Sequence, residues 1–173
     1  MKVINDSKLA EIKQFAFEQH ANVNHFYDGK PYSFHLEMVA DFALRFKDLI
    51  DEDELNLALA GCYCHDLIED CRLTYNDIGE RFGKDLAEIT YALTNEKGKN
   101  RAERANVKYY SGITKNKIAH FVKICDRLAN INHSVNSGSS MINAYREEHD
   151  DFMLKMMDAR FRKMFNLMSE LLN

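Results

Sequence analysis

Four side chains set the chemistry open to this sequence: His35, His65, Asp66 and Asp126. Two imidazoles and two carboxylates, supplied from three separate apolar helical segments, outline a site for a divalent transition ion with positions left for water or a phosphate oxygen. Hydrolysis is the reaction such a site serves. Spacing adds acid–base groups. On one expected helix, His65 with Glu69 and Asp66 with Asp70 are i,i+4 pairs, so a further carboxylate stands one turn along from each ligand candidate. Glu69 and Asp70 are thereby placed to orient a water and take its proton.

Asp126 lies in the apolar run FVKICDRLANI, with Lys123 one turn back and Asn130 one turn on. A carboxylate buried there is strongly unfavourable unless a cation or hydrogen-bond donors compensate it. Each feature has a plainer reading. The His65-Asp66 dipeptide could be a satisfied polar pair, Arg127 could neutralise Asp126, and HDLIED could be a solvated helix end. Together they favour a metal site, because all three segments are largely apolar and unpaired charge is expensive in each.

A phosphate-binding pole is expected at Lys97, Lys99, Arg101 and Arg104, the only dense basic cluster, in a glycine-containing loop between helices. Solvated surface is the competing reading, but loops on a rigid scaffold are where binding residues concentrate. Lys123 is a weaker candidate of the same kind. His20, His25, His120, His133 and His149 have no ligand spacing and read as structural or surface residues. Cys62, Cys64, Cys71 and Cys125 read as free, helix-packed thiols. A zinc–thiolate cluster at Cys62, Cys64 and His65 is disfavoured because residues two apart on a helix diverge.

The elements that must position these groups are helical. Pro31 is the only proline, and no long run alternates apolar and polar with period two. A first helix is predicted from Ser7 to about His20, with Leu9, Ile12, Phe15 and Ala16 inward. After turn chemistry at Asp28-Gly29-Lys30-Pro31, a second begins near Ser33 with His35 in its first turn and Leu36, Val39, Ala40, Ala43 and Leu44 inward. A third, from about Asp53 to Glu69, is nearly continuous apolar in its middle and should be the buried centre. A short helix follows Thr74 and stops at Phe82-Gly83, and another runs from Lys84 to about Leu93. After a charged loop from Asn95 to Arg104, helices are expected over Arg104–Ser111, Lys115–Val135 and Asp150–Leu172, with a hinge at Asn136–Ser140.

Composition removes competing classes. A chain of 173 residues is long enough for one domain with a real core. Lys+Arg 23 against Asp+Glu 27 leaves a net charge of -4, which argues against a nucleic-acid-binding face. The amino terminus, MKVINDSKLAEIKQ, lacks the apolar core of a signal peptide, and no apolar stretch approaches a membrane span. A cytoplasmic protein with no nucleic-acid or membrane partner is expected; the sequence leaves oligomeric state open.

The order His35, His65-Asp66, Asp126 resembles the HD-domain metal-dependent phosphohydrolases. FAFEQH, GKPYSFHLEMVA, CHDLIEDCRLTYNDIGERFG and FVKICDRLANI narrow this to the hydrolase domain of RelA/SpoT-type proteins and small alarmone hydrolases, over roughly Phe15 to His133. The resemblance implies an all-α, single-domain HD-type helical bundle over residues 1–173, with a family-like core at about 15–133 and C-terminal helices over 141–172. It also implies one divalent ion, usually manganese with zinc, iron, cobalt or nickel as alternatives, and release of pyrophosphate from the 3′ position of ppGpp or pppGpp. By position, His35, His65, Asp66 and Asp126 match the ion ligands, Glu69 and Asp70 the water-activating pair, and Asn130 a nucleotide contact. Arg127 matches a family arginine that serves a salt bridge or the substrate.

This sequence departs from the family twice. Members usually carry an Arg-Lys pair for the guanine nucleotide where this chain reads Asn24-His25-Phe26-Tyr27, whose aromatic faces could stack a base or cover the core. Leu36 stands where proline often follows the first histidine. Three functions are therefore carried forward: alarmone 3′-pyrophosphohydrolase, phosphohydrolase of another nucleotide (deoxynucleotide, NADPH or nucleoside triphosphate), and non-catalytic nucleotide-binding module. The Glu69-Asp70 pair disfavours the last, since it would repel a merely bound phosphate.

Overall fold

The computed structural model describes residues 4–173. Met1–Val3, the start of the stretch read for a signal peptide, lie outside the described residues. Helix α1 (Asp6–Asn22) begins where the Asn5 side chain accepts the Lys8 N–H at 2.9 Å, and it buries Ile12, Phe15, Ala16 and His20 at helical spacing. A small antiparallel hairpin follows, β1 (Phe26–Tyr27) paired with β2 (Lys30–Pro31). Its turn places Asp28 at φ 51° and Gly29 at φ 75°, the left-handed pair that an Asp-Gly turn supplies.

Helix α2 (Ser33–Arg45) buries His35, Leu36, Val39, Ala40, Phe42 and Ala43. Leu44 corrects the expectation: it is 47% exposed, because the buried stripe passes from Ala43 to Phe46. Helix α3 (Leu55–Cys64) is buried from Leu57 to Cys64 and packs against α1, α2, α6 (Lys84–Leu93) and α9 (Lys117–Ser137), which makes it the centre of the bundle.

The predicted third helix does not run unbroken to Glu69. It stops at Cys64, and α4 (Leu67–Asp70) starts after Asp66, whose φ of -104° and ψ of 3° leave the helical range. The cause is local. His65 Nδ1 bonds the Cys62 carbonyl at 2.8 Å, taking the acceptor that an unbroken helix would give to the Asp66 N–H.

Helix α5 (Tyr75–Phe82) opens with a capping box between Thr74 and Asp77 and closes at Gly83 with φ 103°, as the sequence predicts. The expected Arg104–Ser111 helix is instead α7 (Arg101–Arg104) and α8 (Val107–Thr114), because Asn100 and Asn106 each cap a separate start. Past Gly138 (φ 67°), the chain forms α10 (Met141–Met156) and α11 (Arg162–Leu172), not one helix from Asp150. The break falls where Asp158 accepts the Arg160 N–H at 2.8 Å. Buried apolar side chains from every described α-helix but α7 form one continuous core, and no described helix is long and apolar enough to cross a membrane.

Candidate metal centre and cleft

Three helices converge their polar residues at one buried point. The first turn of α2 supplies His35, the end of α3 supplies His65, and the middle of α9 supplies Asp126; all are under one-tenth exposed. Asp126 Oδ1 lies 3.2 Å from His35 Nε2 and 3.8 Å from His65 Nε2. One ligand atom from each of the three lies within 4.8 Å of the others, the only such metal-compatible group among the described residues. Asp66 stands beside this group, not inside it: its Oδ2 is 2.9 Å from His65 Nε2 and accepts the Tyr32 hydroxyl.

The donor set fits a divalent ion. His65 Nδ1 is committed to the Cys62 carbonyl, and its buried Nε2 faces only two carboxylates, Asp66 at 2.9 Å and Asp126 at 3.8 Å. Tying one ring nitrogen to a carbonyl and leaving the other as a lone-pair donor is how proteins prepare a metal-binding histidine.

Charge balance explains how these groups coexist in the core. Burial would raise the Asp126 carboxyl, but the Lys123 ammonium at 2.9 Å, with both imidazoles, holds it well below the usual carboxylate range. The same pairing overrides burial at Lys123 and holds its ammonium well above its ordinary value. Burial alone would lower His65, yet Asp66 and Asp126 raise it to about 9. Asp66 is correspondingly depressed, its burial outweighed by His65. At Asp70, burial and then the charges of Asp66 and Glu69 push the carboxyl up to about 7.

A cleft of about 390 Å³ opens from this point, lined by His35, Asp66, Glu69, Asp70, Asp126 and Asn130 on the side of the convergence. Arg101 and Arg104 also line it, whereas Lys97 and Lys99 do not. Glu69 is anchored: both its oxygens receive the Asn95 amide at 3.0 Å. Asn130 donates to Asp126 Oδ1 at 2.7 Å and accepts the Tyr27 hydroxyl at 2.8 Å, so its side chain is committed within the site. Arg127 is a salt-bridge residue, with Nη1 2.7 Å from Glu148 and its guanidinium 4.6 Å from the Tyr145 ring centroid.

Sequence reasoning missed several lining residues. Tyr32 had a signal, the three-residue spacing to His35 within the PY-x-x-H segment. Tyr109, Tyr110, Tyr145, Glu148 and Lys155 had none, since α8 and α10 reach the cleft only through tertiary packing. In the segment Asn24–Tyr27, Tyr27 stacks on His35 with centroids 4.7 Å apart, and His25 stacks on Tyr32 at 3.7 Å. These rings cover the centre from the hairpin side.

The protein is thus an all-α bundle that gathers two histidines and an aspartate from three helices. No family model matches the chain. It is 29% identical over 132 residues to the Danio rerio protein named guanosine-3′,5′-bis(diphosphate) 3′-pyrophosphohydrolase MESH1, covering 76% of this chain and 71% of that one. The MESH1 protein of Drosophila melanogaster is 24% identical over 129 residues, covering 74% and 70%. A solved structure of a metazoan ortholog of SpoT that hydrolyzes ppGpp superposes with a TM-score of 0.74 at 19% identity, over 96% of each chain. The resemblance read from the motifs is borne out by these likenesses, and the fold is shared over 96% of the chain.

Proposed function

We propose that this chain is a metal-dependent nucleotide phosphohydrolase that releases pyrophosphate from the 3′ position of ppGpp or pppGpp. The observation that carries this reading is the buried His35–His65–Asp126 group in a cleft also lined by Arg101 and Arg104, which pairs a metal-compatible pole with a phosphate-attracting one. The substrate assignment draws on the MESH1 relatives, which are named for this reaction.

His35, His65 and Asp126 would hold a divalent ion, manganese in this reading, with Asp66, whose Oδ2 is 2.9 Å from His65 Nε2, as the fourth ligand from beside the group. When bound, such an ion polarises a phosphate oxygen and acidifies water. The chain's residues supply the rest. Lys123 keeps Asp126 ionised, and the Cys62 carbonyl keeps His65 Nε2 available. Asp70 accepts the proton of the attacking water while Glu69, held by Asn95 with lone pairs to spare, orients that water. Arg104, and Arg101 with its guanidinium held by Glu148 at 2.6 Å, take the phosphate oxygens. Water adds to the phosphorus next to the 3′ oxygen, the bond between them breaks, the proton held by Asp70 passes to the departing 3′ oxygen, and GDP or GTP leaves with pyrophosphate. The free thiols suit a reducing compartment, so we place the enzyme in the cytoplasm.

A second reading, hydrolysis of another nucleotide such as a deoxynucleotide, NADPH or a nucleoside triphosphate, draws on Tyr27 and His25. Their rings are stacked on protein partners where the family carries an Arg-Lys pair. A panel of ppGpp, NADPH and deoxynucleotides incubated with Mn2+ and resolved by product chromatography separates the two. Pyrophosphate from ppGpp supports the first reading; orthophosphate from NADPH or a deoxynucleotide, with ppGpp untouched, replaces it with the second.

A further inference from the structure

The hairpin side chain Tyr27 touches one member of the metal-compatible group and reaches a second through an amide. Its ring lies parallel to the His35 imidazole, with centroids 4.7 Å apart and planes 15° apart. Its hydroxyl donates to Asn130 Oδ1 at 2.8 Å, and Asn130 Nδ2 passes the contact on to Asp126, to Oδ1 at 2.7 Å and to the backbone oxygen at 2.9 Å. One side chain thus fixes the ring plane of a histidine on α2 and, through one amide, the carboxylate of an aspartate on α9. The amide's orientation follows from this pairing: the oxygen must accept from Tyr27 for the nitrogen to donate to Asp126.

The hairpin is itself pinned. Asp28, at the left-handed turn, pairs with His133 of α9 at 2.8 Å, and the His133 ring meets the Tyr27 ring edge-on at 5.1 Å. Phe26, the neighbouring strand residue, is 59% exposed and takes no part.

We infer that Tyr27 is a positioning residue that orients His35 by stacking and Asp126 through Asn130, and that it is not a platform for the nucleotide base. The inference rests on the metal-centre reading above. Partners of this kind, one step removed from the ligands, typically change metal affinity by about tenfold or more when removed.

The test is Mn2+ titration of metal-free protein by calorimetry, with thermal unfolding of the metal-free form as the folding control and steady-state kinetics at saturating Mn2+. Tyr27→Phe keeps the stack and removes the hydroxyl. It should raise the Mn2+ Kd about tenfold and lower kcat while leaving KM unchanged. Asn130→Ala should do the same to the Kd, and adding Tyr27→Phe to it should change nothing further, because both act on one route to Asp126. Tyr27→Leu, which loses both arms, should weaken binding more than Tyr27→Phe, and Phe26→Ser should match the parent. A Tyr27→Phe protein with unchanged Mn2+ Kd and raised KM would make Tyr27 a substrate contact and overturn the inference. Multiplying effects of Tyr27→Phe and Asn130→Ala would overturn it as well. A parent protein that takes up no Mn2+ removes the metal reading and the inference together; a parent that binds Mn2+ beside an unresponsive Tyr27→Phe removes the inference alone.

Discussion

Lys123 is the residue that lets Asp126 remain charged inside the bundle. Its ammonium, 2.9 Å from the carboxylate, is itself mostly buried, so the pair stands or falls as a unit. Replacing Lys123 with Met should destabilise the metal-free protein by about 3 kcal/mol, because a buried charge loses its partner. Added Mn2+ should then raise the Tm of the variant more than that of the parent; equal shifts would separate Lys123 from the metal centre. The ligand and proton-handling roles divide differently. Asp66→Ala should lose Mn2+ binding and turnover together, whereas Glu69→Ala should keep the ion and lose on the order of a hundredfold in kcat. Turnover near the parent rate in Glu69→Ala would remove the water-orienting role.

At the scale of elements, the interruption between α3 and α4 matters more than either helix. It turns His65 and Asp66 out of a regular helix, which is why His65 faces Asp126 while Asp66 stands to the side with Tyr32. Apolar periodicity made α1, α2 and the buried α3 legible, and the Thr74 capping box made α5 legible, because those signals are local. The breaks at His65-Asp66, Ala105-Asn106 and Met157-Asp158 were not legible. Each turns on side-chain-to-backbone hydrogen bonding that a count of apolar residues does not register. Three members of the candidate metal group could be placed from residue type and apolar context alone. The aromatic wall from α8 and α10 could not, since nothing local ties those residues to the centre.

The position of α3 makes its own prediction. A Cβ on Gly61 would stand 3.1 Å from Ile89 Cγ2 and 3.2 Å from Val122 Cγ2, so α3 approaches α6 and α9 through a glycine. Gly61→Val should cost about 2–3 kcal/mol by overpacking, read as a lower urea midpoint. An unchanged midpoint would mean the helices separate freely there.

Across the whole molecule, buried histidines tie stability to pH. His120, buried with Nε2 2.7 Å from the Met156 carbonyl, and His20 both have basicity lowered by burial, His20 to about 4. The unfolded chain therefore binds protons that the folded one resists. The contribution of His20 is full above the unfolded value near 6.5 and is lost as pH falls towards 4, and that of His120 is lost in the same direction. Urea unfolding at pH 7 and pH 5 should show a smaller drop for His120→Gln than for the parent; an equal drop would exclude His120 from the pH dependence. With a net charge of -4, the molecule as a whole gives anions no general attraction. Substrate capture must come from the cleft, where Arg101 and Arg104 face the same space as the buried His35–His65–Asp126 group. The claim that this group runs the hydrolysis is tested most directly by titrating Mn2+ into metal-free protein while following pyrophosphate release from ppGpp, in the parent and in Asp126→Asn. Turnover should rise in proportion to bound ion, saturate at one ion per chain, and be lost with the ion in Asp126→Asn. Pyrophosphate release by metal-free protein in excess chelator, or undiminished Mn2+ binding and turnover in Asp126→Asn, would contradict it.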